Sequence, residues 1–400
     1  MFTVLLQRIE EFFSLGVIKM WMTNQKKPIS ISNDPWEAYN DIEDYGQLTL
    51  SNIEFTTTTL CNMRCSHCAV GYTLQTKDPD ALPMDIIYRR LDEIPQLRTM
   101  SITGGEPMFS KKSIKNIVKP LLKYAKDRGI YVQMNSNLTL PQDRYLDIAE
   151  YIDVMHISHN WGTIQEFTDV GFGAMKKQPP LKAKLKLYEQ MLDNASTLSS
   201  QGMFVSAETM LNQSTLPYLD KIHKEIVNDM KCSRHEVHPM YPADFASQLN
   251  VLSLKEMKQA INHLLDIRDE NVWMLFGTLP IYPCINDEND QALLQRLRDA
   301  KNVTTRNDPD GRSRLNVNVF SGDVIVTDFG DENGTISNIK TDKLTDVFNK
   351  WLTSDLAKSL NCHCEAFHCL GPNVLVKNMY YPNTDFKQKE IEMHTENIFS

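Results

Sequence analysis

The chain has no excess of positive charge: 42 lysines and arginines stand against 51 aspartates and glutamates, a formal net charge of −9. That removes the basic footprint on which binding to nucleic acid or to an anionic membrane depends. No apolar run is long enough to span a bilayer either. The nearest approach, MFTVLLQRIEEFFSLGVIKMWMTNQ at the N-terminus, is interrupted by Arg8, Glu10 and Glu11 and has no basic start. An amphipathic helix is expected there rather than a membrane helix or targeting segment, with Met20 and Met22 as alternative starts. Cysteine is scarce, 8 in 400 residues, and six of the eight sit in two tight groups. Such grouping speaks against a disulfide framework and for metal in a reducing, cytoplasmic compartment.

What is present is apolar material, 42% of the residues, enough for a substantial core in two to three domains. LTLSNIEFTTTT is β-branched and aromatic over a strand's length, and RTMSIT, IYVQMNSN, DVMHISHN, MFVSAETML and HEVHPMY read the same way. Between them lie stretches with apolar residues at helical spacing. PMDIIYRRLDEI comes first, then SKKSIKNIVKPLLKYAKDRG, capped by Ser110 and ended by Gly129. PQDRYLDIAEYI follows with Pro141 in its first turn, then LKAKLKLYEQMLDNASTLSSQG and LPYLDKIHKEIVNDM. Alternation of this kind predicts an α/β fold with a parallel sheet. Six strands are too few for a closed eight-stranded barrel, so an open, curved (β/α)6 barrel is expected. GTIQEFTDVGFGAMKKQPP reads as a loop placed to cover the site.

Cys61, Cys65 and Cys68, in TLCNMRCSHCAVGY, leave the end of the first strand. Three thiolates at this spacing can meet three corners of a cubane cluster and leave one iron without a protein ligand. Zinc, with His67 inside the group, is the competing reading, but no second cysteine or histidine pair of zinc-site spacing lies nearby. Downstream, RTMSIT runs into Gly104-Gly105-Glu106-Pro107. The glycines allow a sharp turn and close approach to a ligand, Glu106 offers an acceptor for an ammonium group, and Pro107 stiffens the exit.

This ordered pair of motifs resembles the radical S-adenosylmethionine superfamily. The resemblance implies a [4Fe–4S] cluster on Cys61, Cys65 and Cys68, with S-adenosylmethionine chelating the open iron and its amino group meeting Gly104, Gly105, Glu106 and Pro107. It also implies an electron donor such as flavodoxin or ferredoxin, reductive cleavage to a 5′-deoxyadenosyl radical, and hydrogen abstraction from a substrate at the barrel mouth. Chemistry then belongs at the C-terminal strand ends, at Asn135, Ser136, Asn137, Ser158, His159, Asn160, Glu208, Asn212 and His238. Ser136 and Ser158 are expected on ribose hydroxyls or the nucleoside's carboxylate, Asn137 beside them, and Asn212 resembles a position near the adenosine. Local turn chemistry is the alternative for each. His159 stands where the family often has an acidic residue and is the candidate catalytic group, able to carry a proton near neutral pH; its alternative role is to cap a carbonyl.

Near the C-terminus, Cys362, Cys364 and Cys369 lie in NCHCEAFHCLGPN, and Cys284 stands alone in IYPCIND. Between them RLNVNVFSGDVIVTDF reads as a hairpin turning at Ser321-Gly322-Asp323, followed by ISNIKTDKLTDVFNKW leading into a helix. This order resembles the SPASM or twitch extensions of radical S-adenosylmethionine enzymes, and Cys-x-Cys-x4-Cys resembles a subgroup known by that motif. The resemblance implies one auxiliary [4Fe–4S] cluster on Cys362, Cys364, Cys369 and Cys284, with Asp328, His363 or His368 as alternative fourth ligands. Zinc at this second site stays open. Cys232 reads as a buried apolar residue. The expected organisation is an N-terminal helical extension over 1–46, the barrel over 47–250, a linking helix over 251–275, a small α+β auxiliary-cluster domain over 276–380 and a tail over 381–400. A peptide or protein is the expected substrate, with a small metabolite or cofactor precursor as the alternative. A non-catalytic iron–sulfur or zinc scaffold fits less well, having no need of an open iron beside GGEP.

Overall fold

The structure is a computed structural model, and it describes residues 26–327, 334–360 and 362–386. The helix expected over the first 25 residues, and Asp328, lie outside the described residues.

All six expected strands form: β1 (Asn52–Thr56), β2 (Thr99–Thr103), β3 (Tyr131–Ser136), β4 (Val154–Ser158), β5 (Phe204–Leu211) and β6 (Arg234–Pro239). Each pairs in parallel with the next, so that Ile53 faces Met100 and Ile102 faces Met134 across the ladder. The sheet then continues beyond six. β7 (Trp273–Gly277) and β8 (Val303–Arg306) extend it in parallel past β6. On the other side β9 (Arg314–Asn318) lies parallel to β1 and carries antiparallel β10 (Asp323–Ile325) and β11 (Ser337–Asn338). The order is β11-β10-β9-β1-β2-β3-β4-β5-β6-β7-β8, an open sheet. The expected hairpin is β9–β10, turning through Gly322 at φ 83°, a left-handed value suited to glycine.

Alternation along the strands sorts the two faces. Ile53 and Phe55, Met100 and Ile102, Val132 and Met134, Met155 and Ile157 point outward and are at most 1% exposed. They pack against helix residues such as Ile87, Leu91, Leu121, Leu122, Leu198 and Ile222 in one continuous core. Each such side chain contributes about 1.5–3 kcal/mol by leaving water. The helix from Lys111 opens as expected, with Ser110 Oγ accepting the Ser113 amide, and its C-terminal turn closes at Gly129, φ 68°.

The inward residues at alternate positions are polar: Glu54, Gln133, Asn135, His156, Glu208, Glu236 and His238. Arg306 on β8 and Arg314 on β9, at opposite ends of the parallel run, line one cavity with them, so the sheet curls round and the segment 307–313 spans its open side. From below, Trp36 enters the barrel with its indole N–H donating to Ser101 Oγ at 3.2 Å. Asp34 beside it ion-pairs with Arg306 at 2.6 Å. The N-terminal segment therefore plugs the lower mouth.

Candidate functional site

The cavity enclosed by these elements measures about 290 Å³, and Cys61, Cys65 and Cys68 line its upper end. Their loop is clamped from two sides. On one side lies the turn after β2. Gly105 donates to the Thr58 carbonyl at 2.8 Å and Glu106 to that of Leu60 at 2.7 Å, immediately before Cys61. A Cβ on Gly104 would collide with the Thr58 carbonyl oxygen and one on Gly105 with that of Leu60, and Gly104 also has φ 141°. The glycines are thus required by close packing on the cysteine loop, while both also line the cavity.

The other clamp comes from the stretch expected to be loop. It contains a helix, Ile164–Val170, capped by Thr163, and the residues after it bind the cysteine loop. Ser66 N donates to Val170 O at 2.8 Å, Arg64 N to Gly171 O at 3.2 Å, and Ala174 N to Arg64 O at 3.0 Å. Side chains on Gly171 or Gly173 would strike Met63 or Ser66.

Burial pushes the Cys61 thiol up to about 12, and burial followed by the charges of Cys61 and Cys68 carries Cys65 well above the ordinary thiol range. Cys68 is raised too, again by burial first. Among the described residues no group of three His, Cys, Asp or Glu is preassembled at metal-ligand spacing. Three crowded, half-buried thiols need added positive charge to ionise together, and Arg64 spends its guanidinium on the Cys61 and Met63 carbonyls. The donor set, three soft sulfurs bordering a cavity, fits an iron–sulfur cluster.

Glu106, expected to face an ammonium group, is placed otherwise. It is fully buried, off the cavity, and its carboxylate accepts from Ser136 Oγ at 2.9 and 3.0 Å, Asn137 N at 2.8 Å and Met108 N at 3.1 Å. It ties the β2 turn to the end of β3. Burial pushes its pKa up to about 7, against the lowering by those donors. Pro107 follows it in the same turn. Ser136 lines the cavity but spends its hydroxyl on Glu106. Asn137 reaches Cys61 Sγ at 3.8 Å and Asn62 Oδ1 at 3.0 Å. Asn135, Ser158 and Asn160 line the cavity, and Asn160 meets His67 at 3.3 Å. His67 is pushed down to about 4 by burial.

Two expected residues lie elsewhere. His159 is wholly buried on the outer face, 3.1 Å from Glu225 and edge-on to Trp161, because alternation along β4 turns His156, Ser158 and Asn160 inward and His159 outward. It therefore does not line the cavity. Asn212 accepts from Ser214 N at 2.8 Å and Thr215 N at 3.2 Å, a local turn away from the cavity.

The same alternation places the expected Glu208 and His238 in the cavity and brings in beside them His156, Glu236 and Arg306, which no motif marks. His156 Nε2 stands 3.4 Å from Glu208, and His238 Nε2 stands 3.7 Å from Glu208 and 3.0 Å from Glu236. Glu236 in turn holds Arg306 at 2.6 Å and Arg234 at 2.9 Å. Burial opposes ionisation of Glu236, but the two guanidiniums outweigh it and hold the carboxyl well below the usual range. Gly277 makes room for His238, whose ring a Cβ would strike. The signal for these residues was polar residues at every second position of otherwise apolar strands.

The C-terminal cysteines also gather. Cys364 and Cys369 pair backbone to backbone, at 2.9 and 3.1 Å. Gly371 N meets Cys369 Sγ at 3.4 Å, and a Cβ on Gly371 would strike Cys362 Sγ. Burial and then the charge of Cys284 raise Cys369 to about 12, and the same two causes raise Cys364, so Cys284 stands within their electrostatic reach. His363 instead bonds the Tyr39 hydroxyl at 2.7 Å, and His368 stacks on the Tyr39 ring at 4.7 Å. Cys232 is buried at 4% exposure, away from both groups.

Comparison with known proteins agrees with this geometry. The family model for the radical SAM superfamily matches residues 55–222, and that for the YfkB-like domain matches residues 240–391. YfkA of Bacillus subtilis (strain 168) is 61% identical over 371 residues, 93% of this chain and 99% of that protein. Streptococcus suis SuiB, solved bound to its precursor peptide SuiA, has a similar fold, with TM-score 0.58 and 15% identity over 94% of this chain and 88% of that one. So does anSMEcpe, solved with AdoMet and the Cp18Cys peptide, with TM-score 0.55 and 11% identity over 87% of this chain and 96% of that one. No helix among the described residues is long and apolar enough to cross a membrane. Motif, cavity and family match converge: the chain belongs to the radical S-adenosylmethionine superfamily and carries a YfkB-like C-terminal domain.

Proposed function

We propose that this chain is a radical S-adenosylmethionine enzyme acting on a peptide or protein substrate in the cytoplasm, drawing electrons from a flavodoxin- or ferredoxin-type donor. The observation that carries the enzyme assignment is the placement of Cys61, Cys65 and Cys68 at the upper end of a closed-bottomed polar cavity. When bound, a [4Fe–4S] cluster and S-adenosylmethionine supply one-electron cleavage of the sulfonium and a 5′-deoxyadenosyl radical that takes a hydrogen atom from substrate. The protein's part is positioning and exclusion. The Gly104–Gly105 turn and the segment 170–174 hold the cysteine loop, Asn137 and Ser158 border the space below it, and Trp36 keeps bulk water from entering beneath. The likeness of fold to proteins solved with peptides supports a peptidic substrate. The gathering of Cys284, Cys362, Cys364 and Cys369 supports a second, auxiliary metal site.

Binding of S-adenosylmethionine to the anaerobically reconstituted, reduced chain tests the assignment by electron paramagnetic resonance. The spectrum of the reduced cluster is expected to change on addition of S-adenosylmethionine. An unchanged spectrum in protein with full iron content refutes the assignment.

A further inference from the structure

The lower part of the cavity has a definite electrical character. Glu54, Glu208, Glu236, Asp308 and Asp310 line it, against the guanidiniums of Arg306 and Arg314. Both guanidiniums are already committed. Arg306 is held at 2.6 Å by Asp34 and 2.6 Å by Glu236, and Arg314 at 2.7 Å by Asp310 and 3.4 Å by Glu54. Glu208 has imidazoles for partners, His156 at 3.4 Å and His238 at 3.7 Å. With both histidines neutral, these five carboxylates against two guanidiniums leave the lining with a net negative charge. An anionic group entering here meets carboxylates with no uncommitted guanidinium to receive it, whereas a cation meets acceptors.

A second observation points the same way. Gln133 is 7% exposed and lines the cavity, yet its carbonyl oxygen Oε1 has no hydrogen-bond partner, its amide nitrogen being spent on Asn135 at 2.8 Å. His156 is 5% exposed, and its Nδ1 has no hydrogen bond either. Buried polar atoms without a hydrogen bond are costly, so a cavity-facing acceptor that no protein donor meets is available to a donor carried by a ligand. The depth is right for substrate rather than cofactor. Gln133 lies three residues before Ser136, where β3 ends next to the Cys61-contacting Asn137, and at about 3.3 Å per residue this is about 10 Å along the strand.

We infer that the substrate presents a cationic group, an ammonium or guanidinium, to the floor of this cavity, where the Glu208 carboxylate and the Gln133 carbonyl oxygen receive it. This deepens the enzyme assignment above and rests on it, since the upper part of the cavity is left to S-adenosylmethionine. The cation belongs either to a lysine- or arginine-bearing peptide or to a free amine.

Calorimetric titration of the reconstituted full chain, saturated with S-adenosylmethionine, distinguishes these. The probes are acetyl-lysine amide, its norleucine and glutamate counterparts, and n-butylamine. At least one of the two cations binds, and more tightly than the neutral and anionic probes by about tenfold or more. Preference for acetyl-lysine amide over n-butylamine marks a peptide source, and the reverse a free amine. Glu208→Gln, and separately Gln133→Leu, reduce the discrimination between lysine and norleucine at least about threefold. Equal binding of lysine and norleucine probes, tighter binding of the glutamate probe, silence of both cations, or full discrimination in both variants overturns the inference while leaving the enzyme assignment standing. Failure of the chain to bind S-adenosylmethionine at all overturns the assignment beneath it.

Discussion

Glu106 shows how a single residue in a ligand motif can be structural. Its carboxylate is buried among three protein donors, and burial raises its pKa from 4.5 to about 7. A carboxyl whose folded-state pKa lies above its unfolded value binds more protons folded than unfolded across that interval. Its contribution to stability is therefore full below about 4.5 and is lost as pH rises through about 7. The urea midpoint of the native chain is expected to fall more between about pH 5 and about pH 8 than that of Glu106→Gln, a difference of at most about 3 kcal/mol. The variant is less stable overall, because an amide cannot accept from both Asn137 N and Met108 N with its nitrogen; equal pH slopes in the two proteins contradict the account. Residues legible in the sequence were those in motifs, Cys61 to Cys68 and Gly104–Gly105. The place of His159 is not legible from its position at a strand end, because the alternation of β4 assigns the cavity to His156 and Ser158.

Among the elements, the six strands of the barrel were legible because β-branched runs alternated with helical spacing. β7 and β8 were not. WMLFG is a short, wholly buried apolar run with no alternation to mark it, and VTTR spans four residues whose strand character comes from pairing with β7. The helix Ile164–Val170 was hidden by the glycines after it, which serve close packing on the cysteine loop rather than flexibility. The C-terminal cysteine knot is an element whose metal can be counted. With Cys61, Cys65 and Cys68 all changed to alanine and the chain reconstituted anaerobically, about four irons per chain are expected to remain. Stoichiometric zinc in their place contradicts an auxiliary iron–sulfur cluster.

At the scale of the whole molecule, the open sheet becomes a vessel by being closed at each opening with a different part of the chain. The segment 307–313 spans the unpaired edge, Trp36 and Asp34 seal the base, and the cysteine loop with its two clamps forms the rim. The base was invisible in sequence, since a plug depends on which distant strands its tryptophan and aspartate meet. All the groups with uncommitted hydrogen-bonding capacity described above then face one interior, beneath three half-buried thiols. That arrangement makes one central claim, that the cavity beneath Cys61, Cys65 and Cys68 is where S-adenosylmethionine is cleaved. Incubating the reconstituted, reduced chain anaerobically with S-adenosylmethionine and measuring 5′-deoxyadenosine tests it most directly. Product is expected from the native chain even without substrate and is expected to be absent from the variant with all three cysteines changed to alanine; no product from a native chain carrying its full cluster, or equal product from the variant, would contradict the account.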